Sequence, residues 1–231
     1  MSFNKTAAAL VHILTASGVL CTLFALVAIT DQDFRRAFFW LGLALFIDAV
    51  DGPLARLVDT KLHLPRFSGE RLDLIIDYLN YVVLPAFIVV NGAIISGVPG
   101  LVAAGLILMT SLYHFSDTDS KTREGYFVGF PALWNVVIFY VLAFKLSETS
   151  SLAVVVVFSV LTFVPVLWLH PVRVIQHRRM TGLIGFIWCC AASSVIWNDF
   201  SIGLIEKIVL VGAAVCLAVP GLVRTFARDT S

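Results

Sequence analysis

Residues 48–77 read DAVDGPLARLVDTKLHLPRFSGERLDLIID and join one long apolar run to the next. Insertion measurements put the cost of a charged residue such as aspartate at the centre of a membrane helix at about 2.5–3.5 kcal/mol. Several carboxylates at the ends of two such runs therefore require a compensating charge, and a divalent metal ion is the simplest candidate. The carboxylates in question are Asp48, Asp51, Asp73 and Asp77.

The composition of the chain places it among polytopic membrane proteins. Of its 231 residues, 59% are hydrophobic and 13% are charged, whereas a soluble domain carries about 25% charged residues. The formal net charge of +1 gives no reason to expect a nucleic acid as a partner. The first apolar run is long and has no A-x-A-like exit. We therefore expect it to be retained as a span rather than cleaved as a signal.

Eight apolar runs approach the length of about 20 residues that a transmembrane helix needs. All of them are expected to be helical, because backbone polar groups find no water partner in lipid. The loops between them are mostly short, so we predict an all-α polytopic membrane protein with about eight transmembrane helices, folded as a single transmembrane domain over residues 1–231. The predicted spans are 7–29, 35–57, 70–93, 99–117, 128–146, 151–170, 182–198 and 203–224.

Lysine and arginine are distributed unequally between the two ends of these spans. With the N-terminus in the cytoplasm, twelve of the sixteen lysines and arginines fall on the cytoplasmic side. Because cytoplasmic loops are enriched in these residues, we expect both termini to be cytoplasmic and the four aspartates to lie at that face. The opposite side then carries Arg35, Arg36, Lys145 and Lys207.

The spacing of the aspartates places them on two helical faces. In the first helix, Asp51 and Ala55 follow Asp48 by three and seven residues. In the second, Asp73 and Asp77 follow Gly69 by four and eight residues. Both spacings keep side chains on one face of an α-helix. The two helices are antiparallel neighbours across one short loop, so these faces can form an oxygen-lined pocket of the kind that Mg2+ and Mn2+ prefer. The first face carries Asp48, Asp51 and Ala55, and the second carries Gly69, Asp73 and Asp77.

An alternative is that the acids end their helices and pair with nearby arginines at the level of the lipid head groups. This interpretation suits Asp59 and Glu70, which lie at the ends of the polar loop between the two runs. It does not suit Asp77, which lies two turns into a span, between apolar residues and without a cation near it in sequence. We therefore expect Asp77 to have a chemical role.

The same residues match a known family pattern, D-x2-D-G-x2-A-R followed by G-x3-D-x3-D. All of its fixed positions are present, so the chain resembles the CDP-alcohol phosphatidyltransferase family. Twelve residues separate the two halves of the pattern here, where the family usually has about eight, and this departure concerns the loop rather than the helical faces. The matching positions are Asp48, Asp51, Gly52, Ala55, Arg56, Gly69, Asp73 and Asp77.

The resemblance implies an integral-membrane enzyme, with a tendency to form homodimers, that displaces CMP from a CDP-linked lipid by the attack of an alcohol. It also implies a site for Mn2+ or Mg2+ that holds two ions. Asp77 would act in addition as the base that takes the proton of the alcohol. By this resemblance the metal ligands would be Asp48, Asp51, Asp73 and Asp77, and the contacts to CDP would be Asp48, Gly52, Ala55, Arg56 and Gly69.

Four further stretches resemble the bacterial phosphatidylcholine synthase branch of this family. This branch implies the reaction of CDP-diacylglycerol with choline in a bacterial inner membrane. A different acceptor, such as the serine of phosphatidylserine synthases, stays open. A choline or cation transporter is less favoured, because the chain shows no internal repeat of the kind that transporters carry. The stretches are VHILTASGVLCTL (11–23), LPRFSG at the end of the spacer (64–69), FVGFPALWNVVIFY (127–140) and PVLWLHPVRV (165–174).

Aromatic residues bear on the choice of acceptor. Choline is a quaternary ammonium that donates no hydrogen bond, and proteins hold it against aromatic faces. Rings are frequent near the cytoplasmic ends of the third, fourth and fifth predicted spans, although aromatic belts occur at any membrane interface. Asn135 lies inside an apolar span and is a candidate for an internal polar contact. The candidate choline residues are Tyr113, Phe130, Trp134 and Asn135.

Overall fold

The computed structural model describes residues 3–92, 94–122, 124–169 and 178–228. Six helices of this part of the chain are long and apolar enough to cross a membrane, judged by length and composition. A π-helical segment, Leu79–Val83, joins α4 and α5 into one of these spans. The α-helices are α1 (Phe3–Thr30), α2 (Phe34–Val58), α3 (Thr60–His63), α4 (Gly69–Tyr78), α5 (Leu84–Asn91), α6 (Gly97–Ser116), α7 (Trp134–Ala143), α8 (Glu148–Leu161), α9 (Arg178–Trp197) and α10 (Leu204–Arg228).

The predicted all-α membrane fold is confirmed, and the six long helices coincide with six of the predicted spans. The other two predicted spans, 128–146 and 151–170, are wrong as continuous helices. They contain α7 and α8, which have 10 and 14 residues. At about 1.5 Å per residue these helices are shorter than the hydrocarbon core of a bilayer, which is about 30 Å thick. The count of eight membrane-crossing segments stays a prediction.

Backbone pairing explains why α7 begins late and α8 ends early. The strand β1 (Tyr126–Val128) precedes α7, the strand β2 (Leu167–Leu169) follows α8, and the two strands pair antiparallel. The pairing continues past β1, since the Gly129 N–H donates to the Val166 carbonyl at 2.9 Å. These non-helical segments therefore satisfy backbone groups within the protein, which is the condition under which such backbone is tolerated at membrane depth.

Gly129 allows the chain to turn away from β1 toward α7. Its φ is +77°, and a Cβ at this position would lie 2.3 Å from the carbonyl oxygen of Thr162. We expect Gly129→Ala to lower the thermal unfolding midpoint of the detergent-solubilised protein strongly or to abolish folded yield. Backbone strain of this kind alone costs about 1–3 kcal/mol, and the steric clash adds to it.

Gly105→Ala in α6 is the matched control for this change. Nothing lies within 4 Å of the position that a Cβ of Gly105 would take, so the added methyl should leave the midpoint unchanged or raise it slightly. If the two variants unfolded at the same temperature, the proposed need for glycine at position 129 would be wrong.

The two acids that were interpreted as helix ends, Asp59 and Glu70, lie where the loop between α2 and α4 begins and ends. Asp59 ends α2 with a left-handed φ of 50°, and its carboxylate accepts a hydrogen bond from the Leu62 N–H in α3. Glu70 pairs with Lys61 at 3.5 Å, and both side chains are exposed. Both acids therefore lie at helix ends, as the sequence indicated, but the partners described here are the Leu62 N–H and Lys61 instead of arginines. The short helix α3 takes up part of the long spacer.

The helix α1 packs along α2 and also contacts α4. Two glycines permit the close approach of α1 to α4. The side chain of Ile76 lies 2.7 Å from the position that a Cβ of Gly18 would take, and the ring of His12 lies 2.9 Å from the corresponding position at Gly69. One face of α1 therefore closes the space between the aspartate-bearing faces of α2 and α4.

Candidate active site

The helices α2 and α4 bring three aspartates together. One carboxylate oxygen from each of Asp48, Asp73 and Asp77 lies within 4.8 Å of the other two. All three residues are half-buried. Asp48 comes from α2 and the other two come from α4, so the two faces inferred from the spacing do meet in the structure.

A small cavity adjoins these carboxylates. Asp51, the fourth predicted ligand, lines this cavity but lies outside the group of three oxygens. It is 5% exposed and lies beside Thr15 of α1. Gly18 also lines the cavity from α1, and Asn80 and Tyr81 line it from the π-helical segment. The site is therefore formed by α1, α2, α4 and the π-helical segment, of which the aspartate pattern indicated only α2 and α4.

The donor atoms of this cavity suit a hard divalent cation, because Mg2+ and Mn2+ prefer carboxylate oxygens. The ion pairs within 4.0 Å among the described residues join other groups, and none of them includes Asp73 or Asp77. Lys121, in the loop before β1, acts on both of these aspartates electrostatically at longer range. A bound cation would supply the compensating charge at short range, so the residues fit a metal site.

Tyr81 is a residue of the site that the sequence reasoning did not single out. Its hydroxyl donates a hydrogen bond to Oδ2 of Asp48 at 2.8 Å. A signal for it was present in the sequence. Tyr81 follows Asp77 by four residues, as Asp77 follows Asp73, and this spacing continues the same face of a helix.

Comparison with known proteins shows a consistent set of relatives. The phosphatidylcholine synthase of Agrobacterium fabrum is 40% identical over 217 residues, which cover 94% of this chain and 90% of that protein. The chain belongs to the bacterial phosphatidylcholine synthase family. The phosphatidylcholine synthase of Pseudomonas aeruginosa is 42% identical over 84% of this chain and 81% of its own length. That of Rhizobium johnstonii is 45% identical over 77% and 74%. No protein-family model matches the chain.

Membership of the phosphatidylcholine synthase family confirms the resemblance inferred from the motifs. It identifies the chain as an enzyme, a transferase of phospholipid biosynthesis. It also favours an enzyme over the transporter that the apolar spans and intramembrane acids left open.

The residues that the resemblance assigns to CDP lie on the same two helices as the aspartates. Arg56 is exposed, and its Nη1 lies 3.5 Å from the position that a Cβ of Gly52 would take. The guanidinium of Arg56 therefore lies along α2 beside Gly52, at an ordinary contact distance. Ala55 and Gly69 are both partly exposed. Their contacts to CDP stay a prediction for this member of the phosphatidylcholine synthase family.

The four candidate choline residues do not line the carboxylate cavity. Phe130 and Trp134 are 3% and 0% exposed, and their rings pack edge to face at 5.1 Å. The Trp134 indole N–H donates to Ser111 Oγ at 2.7 Å, and Asn135 Oδ1 accepts from the next backbone N–H at 2.9 Å. Tyr113 is 54% exposed. Three of these side chains are thus engaged in the core, and their binding of choline stays a prediction.

Part of the sequence that carries the phosphatidylcholine synthase resemblance lies outside the described residues. This applies to His170, Pro171 and Arg173 at the end of the fourth stretch. His177, which follows that stretch and precedes Arg178 and Arg179, also lies outside the described residues. Arg123, which contributes to the predicted cytoplasmic charge, also lies outside them.

Proposed function

We propose that this protein transfers the phosphatidyl group of CDP-diacylglycerol to choline and releases CMP. The observation that carries the proposal is the meeting of Asp48, Asp73 and Asp77 beside one cavity. It occurs in a chain whose relatives are phosphatidylcholine synthases. The motif that supplies these aspartates resembles the one with which a family of enzymes displaces CMP from CDP-linked lipids, and this supports the assignment of the donor substrate.

The proposed metal ligands are the four aspartates of the cavity, with Mn2+ or Mg2+ as the metal and two ions as the number that the resemblance implies. The three carboxylate oxygens within 4.8 Å of one another support this assignment. When bound, such ions neutralise the charge of a pyrophosphate and the charge that develops on a CMP leaving group. The proposed ligands are Asp48, Asp51, Asp73 and Asp77.

Asp77 is the proposed base. It lies two turns inside α4, and its carboxylate belongs to the same group of oxygens as those of Asp48 and Asp73. A carboxylate within hydrogen-bond reach of the choline hydroxyl takes the proton as the hydroxyl oxygen attacks phosphorus. A new bond then joins that oxygen to the phosphorus of the phosphatidyl group. The bond from this phosphorus to the oxygen of CMP breaks, and CMP leaves with the electron pair.

The proposed CDP contacts are Asp48, Gly52, Ala55, Arg56 and Gly69. Arg56 is suited to the phosphates, because a guanidinium offers a planar set of donors that matches phosphate oxygens. Its exposure supports this role, since the group is accessible to a ligand from the end of α2. The small residues Gly52 and Ala55, which precede it on α2, leave room for a ligand to approach the backbone.

We further propose that residues 1–231 act as one catalytic domain, as a homodimer, in a bacterial inner membrane. Six long apolar helices support the membrane location. The excess of lysine and arginine near one end of the predicted spans supports cytoplasmic termini and a cytoplasmic active site. The homodimer rests on the family tendency that the resemblance implies.

The choice of acceptor is tested by offering purified protein labelled CDP-diacylglycerol, Mn2+ and, in turn, choline, serine, inositol and glycerol 3-phosphate. We expect labelled phosphatidylcholine to form with choline at least about 100-fold faster than any product forms with the other alcohols. One CMP should be released for each phosphatidylcholine formed. A preparation of the Asp73→Asn variant controls for enzymes of the expression host.

The other outcomes of this assay separate two kinds of error. Phosphatidylserine as the main product would keep the reaction class and replace choline by serine as the acceptor. A folded protein that releases no CMP with any of the alcohols would contradict the proposed reaction itself.

A further inference from the structure

The hydroxyl of Tyr81 reaches from the π-helical segment to a carboxylate on another helix. It donates to Oδ2 of Asp48 at 2.8 Å, and the two residues are 33 positions apart in sequence. The Tyr81 side chain is 5% exposed and belongs to the main hydrophobic core. The core thus holds the phenol in place, so that its hydrogen bond restrains the carboxylate it contacts.

The neighbouring Asn80 has a different task. Its amide donates to the Ile76 carbonyl at 3.1 Å, and its Oδ1 accepts from the hydroxyl of Thr22 in α1 at 3.1 Å. Asn80 therefore binds the backbone of the last turn of α4, just before the π-helical segment, and ties this segment to α1. Single π-helical turns within α-helices frequently occur at functional sites. In this one, Asn80 stabilises the turn and Tyr81 contacts an aspartate of the site.

We propose that Tyr81 is a positioning residue that holds the Asp48 carboxylate in the orientation in which it binds the metal ion. The inference rests on the proposed function, which makes Asp48 a ligand. A carboxylate offers about four lone-pair sites on its two oxygens. The phenol uses one of them, on Oδ2, and thereby restrains the rotation of the carboxylate.

A positioning role and a purely structural role predict different measurements. Groups that hydrogen-bond to a metal-binding residue typically change metal affinity or activity by about 10–100-fold when they are removed. The loss of a buried hydrogen bond that serves only packing lowers stability equally with and without metal. The concentration of Mn2+ that half-saturates the protein therefore distinguishes the two roles.

The experiment compares full-length wild-type protein with Tyr81→Phe in detergent. The thermal unfolding midpoint is measured across a Mn2+ titration that starts from chelated protein, and CMP release is measured across the same titration. We expect the Mn2+ concentration at half-maximal stabilisation to rise about 10-fold or more in Tyr81→Phe. The activity curve should shift by the same factor, while the rate at saturating Mn2+ returns to near the wild-type value.

Tyr78→Phe is the matched control. Tyr78 lies three residues earlier, and its hydroxyl donates to the Leu108 carbonyl at 3.0 Å instead of to a carboxylate. This variant loses the same kind of hydrogen bond, so we expect a lower unfolding midpoint and an unchanged Mn2+ requirement. Equal Mn2+ requirements in Tyr81→Phe, Tyr78→Phe and wild type would overturn the positioning role.

A failure of the proposed function gives a different result from a failure of this inference. If Mn2+ neither stabilises nor activates the wild-type protein, the metal site itself is wrong, and the role of Tyr81 falls with it. If Tyr81→Phe does not fold, 3,5-difluorotyrosine is incorporated at position 81. This residue keeps the ring and the hydroxyl and makes the hydroxyl a stronger donor, so a Mn2+ requirement identical to wild type would again overturn the inference.

Discussion

Replacing Asp77 with asparagine is expected to lower the rate of CMP release by about 1,000-fold, within the range that general acid–base groups contribute. Asparagine has nearly the same shape as aspartate, so the packing of α4 should be retained. The amide cannot accept the proton of the choline hydroxyl, and it is a weaker ligand for a divalent cation. The measurement is the initial rate of CMP release by purified protein at saturating CDP-diacylglycerol, choline and Mn2+.

Asp59→Asn is the matched control, because it makes the same chemical change 18 positions earlier, in the exposed residue that ends α2. Asparagine tolerates the left-handed conformation of Asp59 and can cap α3 in its place. This variant should therefore keep near-normal activity. Activity in Asp77→Asn above about a tenth of wild type would contradict the base role, since a lost base has a larger effect.

Chelation is expected to reduce activity to the level of the reaction without enzyme, and added Mn2+ or Mg2+ should restore it. Two full charges of the same sign within 4.8 Å of each other repel by about 3.5 kcal/mol or more at the effective dielectric constant of protein sites. A cation removes this repulsion among Asp48, Asp73 and Asp77. We therefore also expect EDTA to lower the thermal unfolding midpoint.

The control for chelation is Glu70→Gln, which removes a carboxylate that pairs with Lys61 on the exposed loop. Its response to EDTA and Mn2+ should equal that of the wild type. Full activity after exhaustive chelation, verified by metal analysis of the protein, would exclude the metal from the reaction. Activity that returned with Ca2+ as well as with Mn2+ would show that the site selects for charge rather than for ion size.

The meeting of the aspartates was predictable from the sequence because it depends on local geometry. Asp48 and Asp51 are three apart, Asp73 and Asp77 are four apart, and a short loop joins their helices. Helical periodicity fixes which side chains share a face, and a short connection makes the two helices antiparallel neighbours. The contribution of α1 was not predictable in this way, because it depends on contacts such as that between Gly18 and Ile76.

The paired strands were not predictable from apolar composition. A short apolar run does not distinguish a helix from a buried strand, and FVGFPALW reads as the start of a span. Its conformation depends on Gly129 and on a partner segment some 40 residues later, which hydropathy does not reveal. The acceptor alcohol could not be inferred from the chemistry of the residues alone. Its assignment depends on the similarity of this chain to relatives named phosphatidylcholine synthase.

The strand pair β1–β2 has a consequence for how the protein enters the membrane during synthesis. The helices α7 and α8 are each too short to cross a bilayer alone. The strand β1 precedes α7, the strand β2 follows α8, and the two strands pair with each other. The apolar runs that contain these helices, 128–146 and 151–170, are long enough to be inserted one after the other. The pairing of β1 with β2 requires both strands, so we expect the backbone of this region to become fully hydrogen-bonded only after Leu169 has left the ribosome.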